Sequence, residues 1–173
     1  MTSLEIIVNS YRYITFEQLY RLLSLTYQKS TLRNLRSQIK ADLEADLFRA
    51  EGTEKPRGNW TLISHQAKGQ ELGHALAITE ELIDLETWAT ETGYKFRFEL
   101  TPKIGNIIPD AEVVLEIEDM FCLIYLEVEW SNNRPKLEKY IEVQNDIKER
   151  AKNKLGKGKE PIDFHFHLKV VNA

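Results

Sequence analysis

The sequence predicts an α+β fold in two modules. Two short amphipathic helical periods and a pair of strand candidates with glycine and proline between them occupy the first third, then one long helical period follows, and the remainder alternates between strands of period two and a further helix. With 173 residues and 42% hydrophobic content the chain has enough apolar material to bury a core. The expected boundary separates residues 1–72 from residues 73–173.

In the first module, Thr15 and Gln18 have the spacing of a capping box, and Phe16, Leu19, Leu22 and Leu23 recur at helical intervals, so residues 13–25 predict a helix. A break at 26–29 follows. Ser30 then caps a second helix, with Leu32, Leu35, Ile39 and Leu43 on one side and Arg33, Asn34, Ser37 and Lys40 on the other. Strand candidates at 47–51 and 59–63 are joined by a loop over 52–58 that holds Gly52, Lys55, Pro56, Arg57 and Gly58. Helix, turn, polar-faced helix and basic hairpin together describe a winged helix-turn-helix.

Such a module reads DNA when one helix face packs on its own domain and the other offers hydrogen-bonding and basic groups. By position, Thr31, Asn34 and Gln38 are candidates for base edges. Arg33, Lys40, Lys55 and Arg57 are candidates for phosphates, and Ser37 completes the polar face. The net charge of −4 excludes a generally basic coat, yet residues 1–40 carry six Lys or Arg against Glu5 and Glu17. The expected partner is double-stranded DNA, with a second copy of the chain as a further candidate. The alternative is an adaptor that binds protein, because winged helices serve that role too.

The second module begins after a connector at 64–73. Residues 76–92 predict a helix, with Ile78, Leu82, Leu85 and Ala89 aligned and Gly93 ending it. Strands are expected at 95–100, 111–117 and 121–130, a helix at 135–152 and a last strand at 162–171. This order predicts a small α/β domain with a mixed sheet.

The lone cysteine, Cys122, excludes an internal disulfide and reads as packing within an apolar run. The longest apolar stretch is too short for a bilayer and no signal core opens the chain, so a cytoplasmic location without membrane partners is expected. His165 and His167 share one strand face and read as a solvated edge.

Carboxylates concentrate in the second module. Period-two geometry puts Asp110, Glu112, Val114 and Glu116 on one side of their strand, and Phe121, Leu123, Tyr125, Glu127 and Glu129 together on one side of the next. Acids beside such apolar runs require a cation, a hydrogen-bonding partner or a metal. The spacing Pro109-Asp110 and then Glu127-x-Glu129 resembles the nuclease core whose signature is Pro-Asp followed by Asp or Glu, any residue and Lys. That resemblance implies a restriction-endonuclease-like core in which Asp110, Glu127 and Glu129 hold Mg²⁺. Glu129 stands where the core carries its lysine, so Lys136 or Lys139 on the following helix is the substitute.

The wider pattern is His74-Ala-Leu-Ala-Ile-Thr-Glu80, Pro109-Asp110-Ala111, Leu126-Glu-Val-Glu129, then Lys136-Leu137 and Tyr140. It resembles the replication-relaxation family, in which a winged helix precedes a nuclease-like domain and whose members are encoded largely on plasmids and other mobile elements. Three functions follow as expectations: a DNA-binding protein of replication or its control with a degenerate nuclease-like domain, a Mg²⁺-dependent endodeoxyribonuclease with catalytic Asp110, Glu127, Glu129 and Lys136, or an adaptor that recruits replication or transcription machinery through the acidic residues 73–173.

Overall fold

A computed structural model describes residues 3–26, 32–52, 60–67, 71–118, 120–129, 135–155 and 163–170. The fold is mixed α and β, and the chain divides into two compact units, Met1–Thr87 and Trp88–Ala173.

The first unit runs α1 (Ser3–Tyr11), β1 (Tyr13–Thr15), α2 (Phe16–Thr26), α3 (Leu32–Glu44), β2 (Arg49–Glu51) and β3 (Thr61–Ile63). Its three strands pair antiparallel in the order β1-β3-β2. α1 is a helix that the periodicity reading did not include. It buries Leu4, Val8 and Tyr11, spaced four and three apart, while Ile6 falls off that stripe, exposed, and Ile7 stands half-buried beside it, which blurs the pattern. β1 takes the first residues of the segment expected to be helical. Its partner, β3, is nearly fifty residues away, so no local signal marks it.

The expected capping box is present at the start of α2. Gln18 N–H donates to Thr15 Oγ1 at 3.2 Å, and Thr15 N–H donates to Gln18 Oε1 at 2.9 Å, so each side chain satisfies an N–H left open by helix geometry. Leu19, Leu22, Leu35, Ile39, Phe48 and Leu62 form the centre of this unit with Leu4, Val8 and Ile14. The strands on either side of the hairpin are shorter than expected, at Arg49–Glu51 and Thr61–Ile63.

α4 (Leu72–Thr92) starts four residues before the predicted helix. Thr79 Oγ1 donates to Tyr13 O at 2.7 Å, Gln18 Nε2 donates to Leu76 O at 3.2 Å and Glu80 Oε2 at 2.8 Å, and Arg21 pairs with Glu80 and Asp84. Polar side chains that face α1, β1 and α2 thus bind most of α4 to the first unit, and the two compact units divide at Thr87/Trp88. The helix ends as the sequence indicated. Gly93 takes φ +82°, and Tyr94 N–H reaches back to Ala89 O at 2.8 Å.

The second unit contains β4 (Lys95–Leu100), β5 (Ala111–Ile117), β6 (Met120–Glu129), α5 (Pro135–Glu142), α6 (Gln144–Leu155) and β7 (Asp163–Val170). Its sheet has the order β4-β5-β6-β7, antiparallel except for the parallel β6/β7 pair. The helix expected over 135–152 is two helices, broken at Val143. Tyr140, Val143, Ile147 and Ala151 nevertheless keep one buried stripe, packed with Ile104, Ile107 and Tyr125 at one end and with Val114, Phe121 and Leu123 at the other. Among the described residues, no helix is long and apolar enough to cross a membrane.

Candidate functional site

The candidate DNA-reading surface is the outer face of α3. Leu35, Ile39 and Asp42 turn inward, whereas Arg33, Asn34, Ser37, Gln38 and Lys40 are all exposed. Gln38 Nε2 donates to the buried Asp42 Oδ1 at 2.8 Å, so this side chain is tied one turn along its own helix. Thr31, Lys55 and Arg57 lie outside the described residues.

Sequence reasoning passed over Arg36. At 100° per residue Arg33, Arg36 and Lys40 fall within about 60° of one another, a stripe that the i, i+3, i+7 spacing already contained. The Arg36 guanidinium lies over the Phe16 ring, 5.2 Å from its centroid. Phe16 in turn meets Trp60 edge-on at 6.5 Å, and its N–H donates to Trp60 O at 2.7 Å.

In the second unit the strand register explains where the acids sit. Glu112 pairs with Tyr125, Val114 with Leu123 and Glu116 with Phe121, so these residues share the sheet face against which α5 and α6 pack. Glu112, Glu127 and Glu129 are all buried on this face, at 1%, 6% and 8% exposure. The polar side of β5 is therefore covered, and each acid there needs a partner.

Three partners are explicit. Arg150 on α6 donates from Nε to Glu112 Oε2 at 3.0 Å and from its outer nitrogen to Glu99 Oε2 at 2.9 Å. The Tyr140 hydroxyl donates to Glu127 Oε1 at 2.6 Å. Asp110, half-buried at the mouth of β5, accepts Val128 N–H on Oδ2 at 2.7 Å, while its own N–H donates to Leu126 O at 3.1 Å. Burial and then the neighbouring Glu127 push the Tyr140 hydroxyl far above the ordinary tyrosine range. Tyr125 is raised for the same first reason, with Glu112 second. Arg150 had no sequence signal, because the helix break and the fold of α6 across β5 decide its position.

Asp110 and Glu127 therefore each commit an oxygen to a donor inside the fold. Among the described residues, no three His, Cys, Asp or Glu side chains are gathered as a set able to hold a metal ion. Lys136 falls near the start of α5, and its side chain lies outside what is described. What the arrangement does chemically is join β5 and β6 to the two helices through buried charge-assisted hydrogen bonds. Cys122 is half-buried on the opposite face. No family model, no curated protein and no solved structure matches this chain.

Proposed function

We propose that the chain is a DNA-binding protein of the replication-relaxation type, acting in the replication of a plasmid or mobile element or in its control. The observation that carries this reading is the outer face of α3, where Arg33, Asn34, Ser37, Gln38 and Lys40 stand exposed on a helix whose inner face is locked into the core. The order α1-β1-α2-α3-β2-β3 with strands arranged β1-β3-β2 supports a winged helix-turn-helix, in which α3 is the recognition helix and the β2/β3 hairpin is the wing.

The second unit supports a nuclease-like core by its connectivity, three antiparallel strands and then helices leading to a fourth strand parallel to the third. Its acids are the reason to read it as non-cleaving. Asp110 and Glu127 hold internal hydrogen bonds, and Glu129 occupies the lysine position of the core it resembles. Mg²⁺ would require oxygens turned toward a common centre.

The test is supercoiled-plasmid binding and cleavage in parallel, with and without Mg²⁺, for the native chain, Arg33→Ala and Asp110→Ala at fixed salt. Salt-sensitive binding weakened by Arg33→Ala, with no cleavage, is the expected result. Mg²⁺-dependent cleavage lost in Asp110→Ala would establish the endonuclease instead, and absence of DNA binding would leave the protein adaptor.

A further inference from the structure

We infer that Arg36 is a phosphate-contacting residue of α3, positioned by the Phe16 ring, and that it completes a three-cation stripe with Arg33 and Lys40. The inference rests on the DNA-binding reading and extends it to a residue with no assigned role.

The chemistry favours arginine. A guanidinium is planar, and stacking uses its face while the N–H donors lie in its plane and point outward from the edge. With its guanidinium carbon 5.2 Å from the Phe16 ring centroid, Arg36 lies within cation–π reach of that ring. Arg36 is half-buried, whereas Arg33 and Lys40 are exposed, so it begins from a more ordered position and loses less side-chain freedom on meeting a phosphate. Phe16 is itself fixed, by Trp60 edge-on at 6.5 Å and by the bond from its N–H to Trp60 O. The stack thereby joins α3 to the first turn of α2 and the residue before β3. A stripe at i, i+3 and i+7 follows one side of the helix for about 10 Å, a length that spans successive phosphates of one strand rather than a single group.

The experiment measures binding of a fluorescein-labelled duplex of random sequence by anisotropy, from about 50 to about 200 mM salt, for the native chain and for Arg36→Met, Arg36→Lys, Phe16→Leu and Arg33→Met. Arg36→Met is expected to weaken binding and to lower the slope of log K against log salt by about 0.9, the loss of one phosphate contact. Arg36→Lys is expected to keep the slope and lose affinity, because the charge stays and the stack goes. Phe16→Leu is expected to behave like Arg36→Lys. Thermal melts accompany each variant, and Arg36→Gln replaces Arg36→Met if the latter does not fold.

An unchanged slope in the neutral Arg36 variant, beside a lowered one in Arg33→Met, would overturn the role of Arg36 and leave DNA binding intact. Loss of melting temperature alone, with binding unchanged, would make the stack structural and overturn it equally. If the native chain binds no duplex at any salt, the DNA-binding reading fails and the role of Arg36 fails with it.

Discussion

Tyr140 on α5 donates its hydroxyl to Glu127 on β6 at 2.6 Å, inside the layer between the sheet and its helices. Tyr140→Phe removes the donor and keeps the ring, leaving a buried carboxylate oxygen short of a partner. A loss of about 1–3 kcal/mol is expected in denaturant titrations. Glu127→Gln, which still offers an acceptor, is expected to lose less.

The same tyrosine sets a limit at high pH. Tyr11, Tyr125 and Tyr140 are all raised above the ordinary tyrosine value, first by burial and then by a neighbouring carboxylate. A group whose folded pKa is raised contributes stability that is complete below its unfolded pKa of about 10 and is lost as pH climbs further. Melting temperature is therefore expected to fall steeply above about pH 10, and Tyr140→Phe is expected to flatten that fall. A profile unchanged by the substitution would show that folding does not hold the Tyr140 proton and would remove Tyr140 from the account.

Arg150 and Glu112 form an ion pair in the second unit, with the Glu112 side chain fully enclosed and about a quarter of Arg150 left exposed. Arg150→Ala leaves that charge without its cation and is expected to cost about 3 kcal/mol. Replacing both partners, as Arg150→Met with Glu112→Leu, is expected to recover most of the loss, because two apolar groups can fill the space that two charges had to be desolvated to enter. The bond to Glu99, which is half exposed, contributes little by itself.

The helical and strand signals in the sequence were strongest where a residue's neighbours in the chain are also its neighbours in space. Thr15 and Gln18, Gly93, and the strands Lys95–Leu100 and Ala111–Ile117 fall where local spacing indicated. β1 and the docking of α4 were not legible, since each depends on contacts such as Tyr13 with Ile63 and Thr79 with Tyr13 that join distant segments. At the acidic cluster, alternation correctly grouped Glu127 with Glu129, but spacing cannot reveal that a carboxylate is already satisfied by a tyrosine or a backbone N–H.

The capping box offers a sharper check on the first unit. Thr15→Ala is expected to cost about 1 kcal/mol. Gln18→Ala is expected to cost more, because Gln18 also donates to Leu76 O and Glu80 in α4. Equal losses from the two substitutions would mean that these bonds to α4 add nothing.

Gly105 sits in the turn closed by Ile104 and Ile107, with φ +56° and with its Cα turned toward Asp146 and Val143. Gly105→Ala forces a side chain into the left-handed region and against α6. A loss of at least about 1–2 kcal/mol is expected from the backbone alone. Asp146→Ala in the same background is expected to return part of it by clearing the contact.

The parallel pairing of β6 with β7 has a consequence for biosynthesis. A ribosome-borne chain that has emerged through α6 can already form the β4-β5-β6 meander, but the far side of β6 stays open from Cys122 to Glu129 until Asp163–Val170 arrives. That open side is a row of backbone donors and acceptors on a strand whose side chains are mostly apolar, the kind of template that recruits another nascent chain. At about 5–20 residues per second the interval lasts roughly a few seconds. Yield in the cell is therefore expected to depend on chaperone access to this edge until residues 163–170 pair with it, as well as on the strength of the finished core.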